Sequence, residues 1–397
     1  MRKPVAGQVA GAACFGAVAV AVAATRHADR TVNTPLVPHG AWKQAWIVCV
    51  IAALVLSGVG VLLARRGALS LRAALVAAVA IQLVPLAAPV LLSEDVYLYW
   101  AEGRVTAVHH ANPYRVAPSA YPDDPGTRAA SPEWRTQTEP YGPAWVAVQT
   151  IPALAAGRSA HTATFLYRII AAIGILALLA VVAVRTRSAA AVALLGWSPL
   201  VALHYAGGAH SDALLMLFMV VGIAYGSRAA GGASWTLASL FKAFPVVLLP
   251  LDLARDRAQR PRRFWVGLVG AAVVLGGASL AVFGTGWLST SVVAAHGSSG
   301  MGGVHFIAKT GLRHRYAVVI GALVFGVVYL TLLREAWRRG KPRLGLAAAT
   351  LCMCSSLLRP WYGLWPLALA ALEGDGVSEV AAWALSVYLL VWDALPI

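Results

Sequence analysis

Residues 73–92 of this 397-residue chain carry no charge, and several other runs are as apolar and nearly as long. About 20 apolar residues in a helix cross the ~30 Å hydrocarbon layer of a bilayer. A chain with so many such runs cannot fold as an ordinary soluble domain. Its composition agrees: 59% of residues are hydrophobic and 12% are charged, against about 25% charged in a typical soluble domain. An all-α, polytopic membrane protein is expected. Spans are placed at 5–23, 46–64, 72–92, 142–157, 163–184, 189–206, 210–227, 232–252, 265–283, 316–333, 344–358, 361–372 and 377–393, about 11–13 transmembrane or half-membrane helices. Pro4–Ala24 follows Arg2 and Lys3 like a signal peptide, but its apolar stretch is long, and it reads as a retained first span.

The net charge of +16 does not indicate nucleic acid. The basic residues cluster between apolar runs, at Arg2-Lys3, Arg65-Arg66, Arg255 to Arg263 and Arg334 to Arg343, which is the positive-inside pattern. The 27 arginines against 5 lysines, with abundant alanine, point to a GC-rich bacterial genome and a bacterial plasma membrane. With the N-terminus inside, the third span exits at Leu92 and the loop 93–141 is extracytoplasmic. A second outside loop, 284–315, is rich in Gly and Ser. No soluble domain or linker stands out, so 1–397 reads as one transmembrane domain, with N-terminal spans over 1–92. Two stretches resist simple counting. Lys242, Pro245 and Pro250 break 232–252, which is expected as two half-length helices, and parity across 142–206 requires 142–157 to lie flat or re-enter unless another assignment is wrong. Cys14, Cys49, Cys352 and Cys354 all lie in apolar runs and suggest neither a disulfide nor a metal site.

The loop 93–141 holds seven of the sixteen acids. Glu94 and Asp95 stand at the mouth of a span, where partial desolvation raises a carboxyl pKa and suits it to general-base work. In "DVYLYWAEGR", Asp95, Tyr99 and Glu102 fall on one helical face. Tyr97, Trp100, Tyr114 in "NPY" and Tyr141 in "YGP" add rings of the kind that form a sugar-stacking or a lipid-facing wall. His210 and Asp212 lie in "HYAGGAHSDALL", and Asp212 is the only acid between Gly142 and Leu251. An acid at such a boundary is expensive and usually functional. The pair is suited to hydrogen-bonding a hydroxylated substrate, but two ligands do not make a metal site. Arg313, Arg315, Arg359 and Lys242 are candidate phosphate grips, and Trp361 and Tyr362 are placed to line the path of a lipid chain.

The ordered set "DVYLYWAEGR", "NPY", "YGP", "SPLVALHYAGGAHSD", "FKAFP" and "RPWYGLWPL", between Ser93 and Leu372, resembles the polyprenol-phosphate-mannose-dependent alpha-1,6-mannosyltransferases of actinobacteria, within the GT-C superfamily of membrane glycosyltransferases. "AHSD" departs from an Asn-containing form in those relatives. The resemblance implies a GT-C type helical bundle and a polyprenyl-phosphate sugar, mannose above all, as donor. It also implies a glycan or glycolipid acceptor and transfer with inversion on the extracytoplasmic side. Asp95 matches the family's catalytic acid position and Glu94, Tyr99, Glu102, Tyr114, Tyr141, His210, Asp212, Lys242, Arg313, Arg315, Arg359 and Tyr362 are assigned to substrate. No cofactor or metal is expected; the partners are the two substrates and membrane lipids. The alternatives are a multi-pass transporter, which would place polar residues at the bilayer midplane on broken helices, or another lipid-linked transferase.

Overall fold

Proline, serine and glycine decide where the apolar runs of this chain stop being helix. The structure is a computed structural model that describes residues 5–28, 38–255, 260–289 and 300–394. Among the described residues, six helical segments are long and apolar enough to cross a membrane: Val5–His27, Gly40–Arg65, Ala160–Thr186, Arg262–Phe283, His314–Arg339 and Gly376–Ala394. Shorter apolar segments accompany them, among them Leu71–Ala87, Pro143–Ala155, Asp212–Ala224 and Leu344–Cys354. Among the described residues the only β pairing is an isolated bridge between Ala28 and Pro38. The protein is all-α and polytopic.

Several span boundaries differ from those expected. The span placed at 72–92 ends early, with an α-helix over Leu71–Leu83 and a 3-10 turn over Val84–Ala87. Pro85 and Pro89 supply no N–H to continue the helix, so residues 88–94 form an irregular segment. The run 189–206 is not one helix but two, Ala189–Gly196 and Pro199–Tyr205. Pro199 at the first turn and the Ser198 hydroxyl, which accepts from the Val201 N–H, restart the second one. The segment expected at 142–157 is the 13-residue helix Pro143–Ala155, about 20 Å long and too short to span. The expected interruption of 232–252 falls at Lys242–Ala243, between Ala229–Phe241 and Phe244–Arg255. The loop expected over 284–315 contains the helix Gly303–Lys309. Its centre, 290–299, lies outside the described residues, as do Arg2, Lys3 and 256–259 of the basic clusters.

The chain packs as two compact units. The first comprises Met1–Glu139, Ala144–Leu214 and Leu390–Ile397. Its N-terminal helices close around Trp197, whose Nε1 donates to the Ala74 carbonyl at 3.0 Å. A Cβ on Gly60 would lie 2.3 Å from that indole, so only glycine lets the helix Gly40–Arg65 approach so closely, as small residues commonly do between membrane helices. Gln82 ties the helix Leu71–Leu83 to the Gly196 carbonyl at 3.0 Å. Trp46 donates to the Ala394 carbonyl at 2.7 Å, which fixes the end of the last helix. The second unit comprises Pro140–Pro143 and Leu215–Leu389. There the buried carboxylate of Asp252 pairs with Arg260 at 2.7 Å and Arg255 at 3.1 Å. Glu373 accepts the Leu344 and Gly345 N–H groups at 2.6 and 3.0 Å, capping the helix Leu344–Cys354 from 28 and 29 residues away.

Candidate active site

Two irregular segments of the first unit meet where the membrane helices end. One is 88–94. The other, 206–211, joins the helices Pro199–Tyr205 and Asp212–Ala224. The Leu91 N–H donates to the Gly207 carbonyl at 3.1 Å and bonds one segment to the other. Arg168, from the helix Ala160–Thr186, clamps both. Its guanidinium donates to the carbonyls of Pro85, of Ala88 at 2.8 Å and of Ala206 at 2.7 Å. Leu92 and Ala209 both have positive φ, 59° and 67°, a conformation that costs a non-glycine residue about 1 kcal/mol or more and clusters at functional sites. A Cβ on Gly208 would lie 2.7 Å from the His204 carbonyl oxygen and 3.3 Å from His210 Nε2, so the crossing has no room for a larger residue.

This crossing carries Asp95 and His210. Asp95 opens the helix Asp95–Ala107, with Glu94 at its N-cap position, where the helix dipole favours negative charge. Asp95 Oδ2 lies 3.6 Å from His210 Nδ1; the imidazole is fully buried and the carboxyl side chain 17% exposed. That gap is just beyond hydrogen-bond range, as catalytic pairs often are before a substrate is bound. Partial burial pushes Glu94 up to about 7.

Behind Asp95 the helix turns inward. Tyr99 and Glu102 share its face as the spacing requires, and both are buried. Tyr99 packs edge-on against Trp145 at 4.9 Å, and Tyr167 donates to the Tyr99 and Gln149 carbonyls at 3.0 and 2.7 Å. Burial drives Glu102 well above the usual carboxyl range, and the neighbouring Glu139, then Asp95, push it further. Glu139 is itself buried and accepts a bond from Gln149. Tyr114, nearly buried, is raised by burial and by the two glutamates. Asp212 is fully buried at the first residue of its helix. Farther out, Arg104 Nε donates to both Asp124 carboxylate oxygens at 2.8 and 2.9 Å, and His109 meets Asp124 at 2.9 Å. Burial alone would raise Asp124, but these bonds and the Gly126 N–H hold it low. This cluster folds the segment after the helix back onto it.

The second unit gathers another set. Lys242 stands in the extended break between two half-length helices, with Nζ 5.0 Å from the ring centroids of Tyr141 and Tyr362 and 5.9 Å from Trp365. Tyr362 stacks on Trp365 at 4.2 Å, and Phe244 stacks on Trp365 at 4.0 Å. Such an aromatic surround stabilises an ammonium by about 0.5–2 kcal/mol per ring. Arg359 precedes the 3-10 turn Pro360–Gly363, its guanidinium 6.0 Å from the Trp361 ring. Arg313 and Arg315 are exposed at the start of His314–Arg339, where Arg315 lies 4.8 Å over Tyr316. Within the first unit the structure thus groups Asp95, Glu102, Tyr114 and His210, with Glu94 and Tyr99 on either side of Asp95 along the chain and Asp212 buried two residues after His210. Within the second it groups Tyr141, Lys242 and Tyr362, with Arg359 on the same turn as Tyr362.

Sequence reasoning missed Arg168, Glu139, His204 and Asp393. Arg168 had a signal: an arginine inside an otherwise apolar 27-residue helix is costly enough to imply a task. Among the described residues, no three His, Cys, Asp or Glu side chains converge as a metal site would require.

Fold and site together define a polytopic all-helical membrane protein with a carboxylate–imidazole pair at the end of its membrane helices. The chain belongs to the alpha-(1->6)-mannopyranosyltransferase family, whose N-terminal domain matches residues 5–254. It is 30% identical over 361 residues to alpha-(1->6)-mannopyranosyltransferase A of Mycobacterium tuberculosis, covering 77% of this chain and 67% of that one. It is 27% identical over 356 residues to alpha-(1->6)-mannopyranosyltransferase B of Corynebacterium glutamicum, covering 76% and 57%. A probable alpha-(1->6)-mannopyranosyltransferase of Mycolicibacterium smegmatis is 27% identical over 365 residues, covering 75% and 63%. The chain therefore spans between 57% and 67% of the length of these relatives. No solved structure matches it.

Proposed function

We propose that this protein is a membrane mannosyltransferase that moves mannose from a polyprenyl-phosphate donor to a glycan or glycolipid acceptor, on the extracytoplasmic face and with inversion. The observation that carries the reading is Asp95: a half-buried carboxylate at a helix N-terminus, held beside a buried imidazole in a chain of the mannopyranosyltransferase family. Asp95 takes the proton of an acceptor hydroxyl while that oxygen attacks the anomeric carbon. The bond from that carbon to the phosphate oxygen breaks on the opposite face, so the configuration inverts. The transition state has oxocarbenium character, and negative charge grows on the departing phosphate. Lys242, in its aromatic surround, and Arg359 are the groups proposed to bind that phosphate, as charge-assisted contacts that strengthen during the reaction. The acceptor oxygen attacks directly, so an inverting transfer needs no protein nucleophile. The positive-inside pattern of Arg65-Arg66 and Arg334 to Arg343 supports the extracytoplasmic placement of the loop 93–141.

The experiment is direct. Purified protein in nanodiscs is supplied with radiolabelled polyprenyl-phosphate mannose and a short α-linked mannoside acceptor. Labelled, lengthened mannoside and free polyprenyl phosphate are the expected products. A protein that leaves this donor intact but consumes a nucleotide sugar overturns the reading.

A further inference from the structure

Two histidines are buried in the first unit where the proposed reaction uses only one. His204 and His210 both have fully buried side chains, and their ring centroids are 5.6 Å apart. That spacing leaves the two rings within reach of a single bridging water. His210 faces Asp95 at 3.6 Å. On the far side, His204 Nε2 lies 3.4 Å from Asp393 Oδ2, whose side chain is 14% exposed. Asp393 is the penultimate residue of the helix Gly376–Ala394, which Trp46 anchors through the Ala394 carbonyl. Four titratable groups, Asp95, His210, His204 and Asp393, thus form a line with carboxyls at both ends and buried imidazoles between. Placing two histidines in such an interior is costly, and chains of acids and histidines there commonly move protons. Asp393 lies outside residues 5–254, the part matched to the family.

We propose that this line is the proton exit of the transferase, a reading that rests on the function proposed above. In each turnover the acceptor hydroxyl proton goes to Asp95 as its oxygen bonds to the anomeric carbon, and the bonding pair of the broken carbon–oxygen bond leaves on the phosphate. Asp95 must lose that proton before it can act again. Asp95 passes it to His210 Nδ1, His210 releases one from Nε2 through a bridging water to His204 Nδ1, His204 releases one from Nε2 to Asp393, and Asp393 releases one to water. One proton enters and one leaves, so the line regains its starting charge. The route lets Asp95 reset while products still occupy its exposed side. Asp393 and His204 are positioning and relay groups that touch neither substrate.

The test separates the first turnover from those that follow. Asp393→Asn and His204→Gln are compared with wild type in nanodiscs. One arm uses polyprenyl-phosphate mannose with enzyme in excess, the other with donor in excess. The relay predicts that each variant keeps a first-turnover rate within about twofold of wild type while steady-state kcat falls about tenfold or more, the lower range for losing a proton-transfer group. Because the slow step follows transfer, KM for the donor falls together with kcat and kcat/KM stays unchanged, and product appears as a burst of one per enzyme. Equal loss of first-turnover rate and kcat overturns the relay in favour of a merely structural role, and unchanged kcat in both variants overturns it outright. Asp393→Asn keeps the side-chain shape at a partly exposed site, so it carries the test alone if His204→Gln does not fold. Wild-type protein that transfers nothing from this donor rejects the proposed function instead.

Discussion

Replacing Arg168 with Met tests whether the crossing of the two irregular segments sets the geometry of Asp95 and His210. Arg168 is 4% exposed and donates to three carbonyls, Pro85 in the 3-10 turn that leads into one segment, Ala88 on that segment and Ala206 on the other. Hydrogen bonds from a charged donor contribute about 1.5–3 kcal/mol each, and a buried carbonyl left without a donor costs about 1–3 kcal/mol. Three such losses would sum to several kcal/mol. Methionine, however, avoids the cost of burying a guanidinium, so the net destabilisation should be about 2–4 kcal/mol, less than that sum. The Leu91–Gly207 bond remains, so the segments should stay together but loosen. A loosening of about 1 Å in a catalytic pair costs on the order of 100-fold in rate, or about 2.7 kcal/mol of barrier. Arg168→Lys keeps the charge but not the planar fork, and should lie between. Thermal unfolding in detergent and kcat/KM for mannosyl transfer are the two readouts. If folded Arg168→Met loses less than about 1 kcal/mol and transfers at the wild-type rate, the clamp does not position the site.

Three further outcomes follow from the same geometry. Arg359→Gln should lower kcat by roughly 2–4 kcal/mol of transition-state stabilisation, with Arg359→Lys recovering only part; unchanged kcat and KM would leave the arginine a headgroup anchor. A cysteine at Asp123, whose side chain is 94% exposed, should react with an impermeant thiol reagent on intact cells, while one at Arg339, 75% exposed, should react only after permeabilisation; the reverse pattern puts the site in the cytoplasm. Glu94, raised from 4.5 to about 7 by burial, binds its proton more tightly folded than unfolded, so its stabilisation is complete below pH 4.5 and is lost as pH rises through about 7. Thermal midpoints of Glu94→Gln across that window should fall less steeply with pH than those of wild type, and parallel curves would assign the slope to other groups.

What the sequence disclosed depended on how local the cause was. The long helices were visible because length and apolarity alone allow a crossing, and their ends fell near basic clusters. The break at Lys242 was visible because a lysine and two prolines stand within a few residues. The shared face of Asp95, Tyr99 and Glu102 followed from helical spacing. Glu102 as a buried neighbour of Glu139 was not visible, because 37 residues separate them and only packing joins them. The third span was drawn too long because apolar composition continues through 88–92, while Pro85 and Pro89 had already ended the helix. Lys242 was singled out by its charge, but its ring partners Tyr141, Tyr362 and Trp365 come from two distant segments. Asp393 and His204, 189 residues apart, gave no local signal of pairing at all.

The central claim is that Asp95 is the general base, and the rate of mannosyl transfer by Asp95→Asn from polyprenyl-phosphate mannose tests it most directly. Asparagine keeps the shape of the side chain beside His210 and removes only its capacity to accept the proton. The account predicts a protein with wild-type thermal stability and donor KM whose kcat is about 10²–10⁴-fold lower, the usual scale for general-base loss. A folded Asp95→Asn protein that transfers mannose at close to the wild-type rate would contradict it and move the role to Glu94.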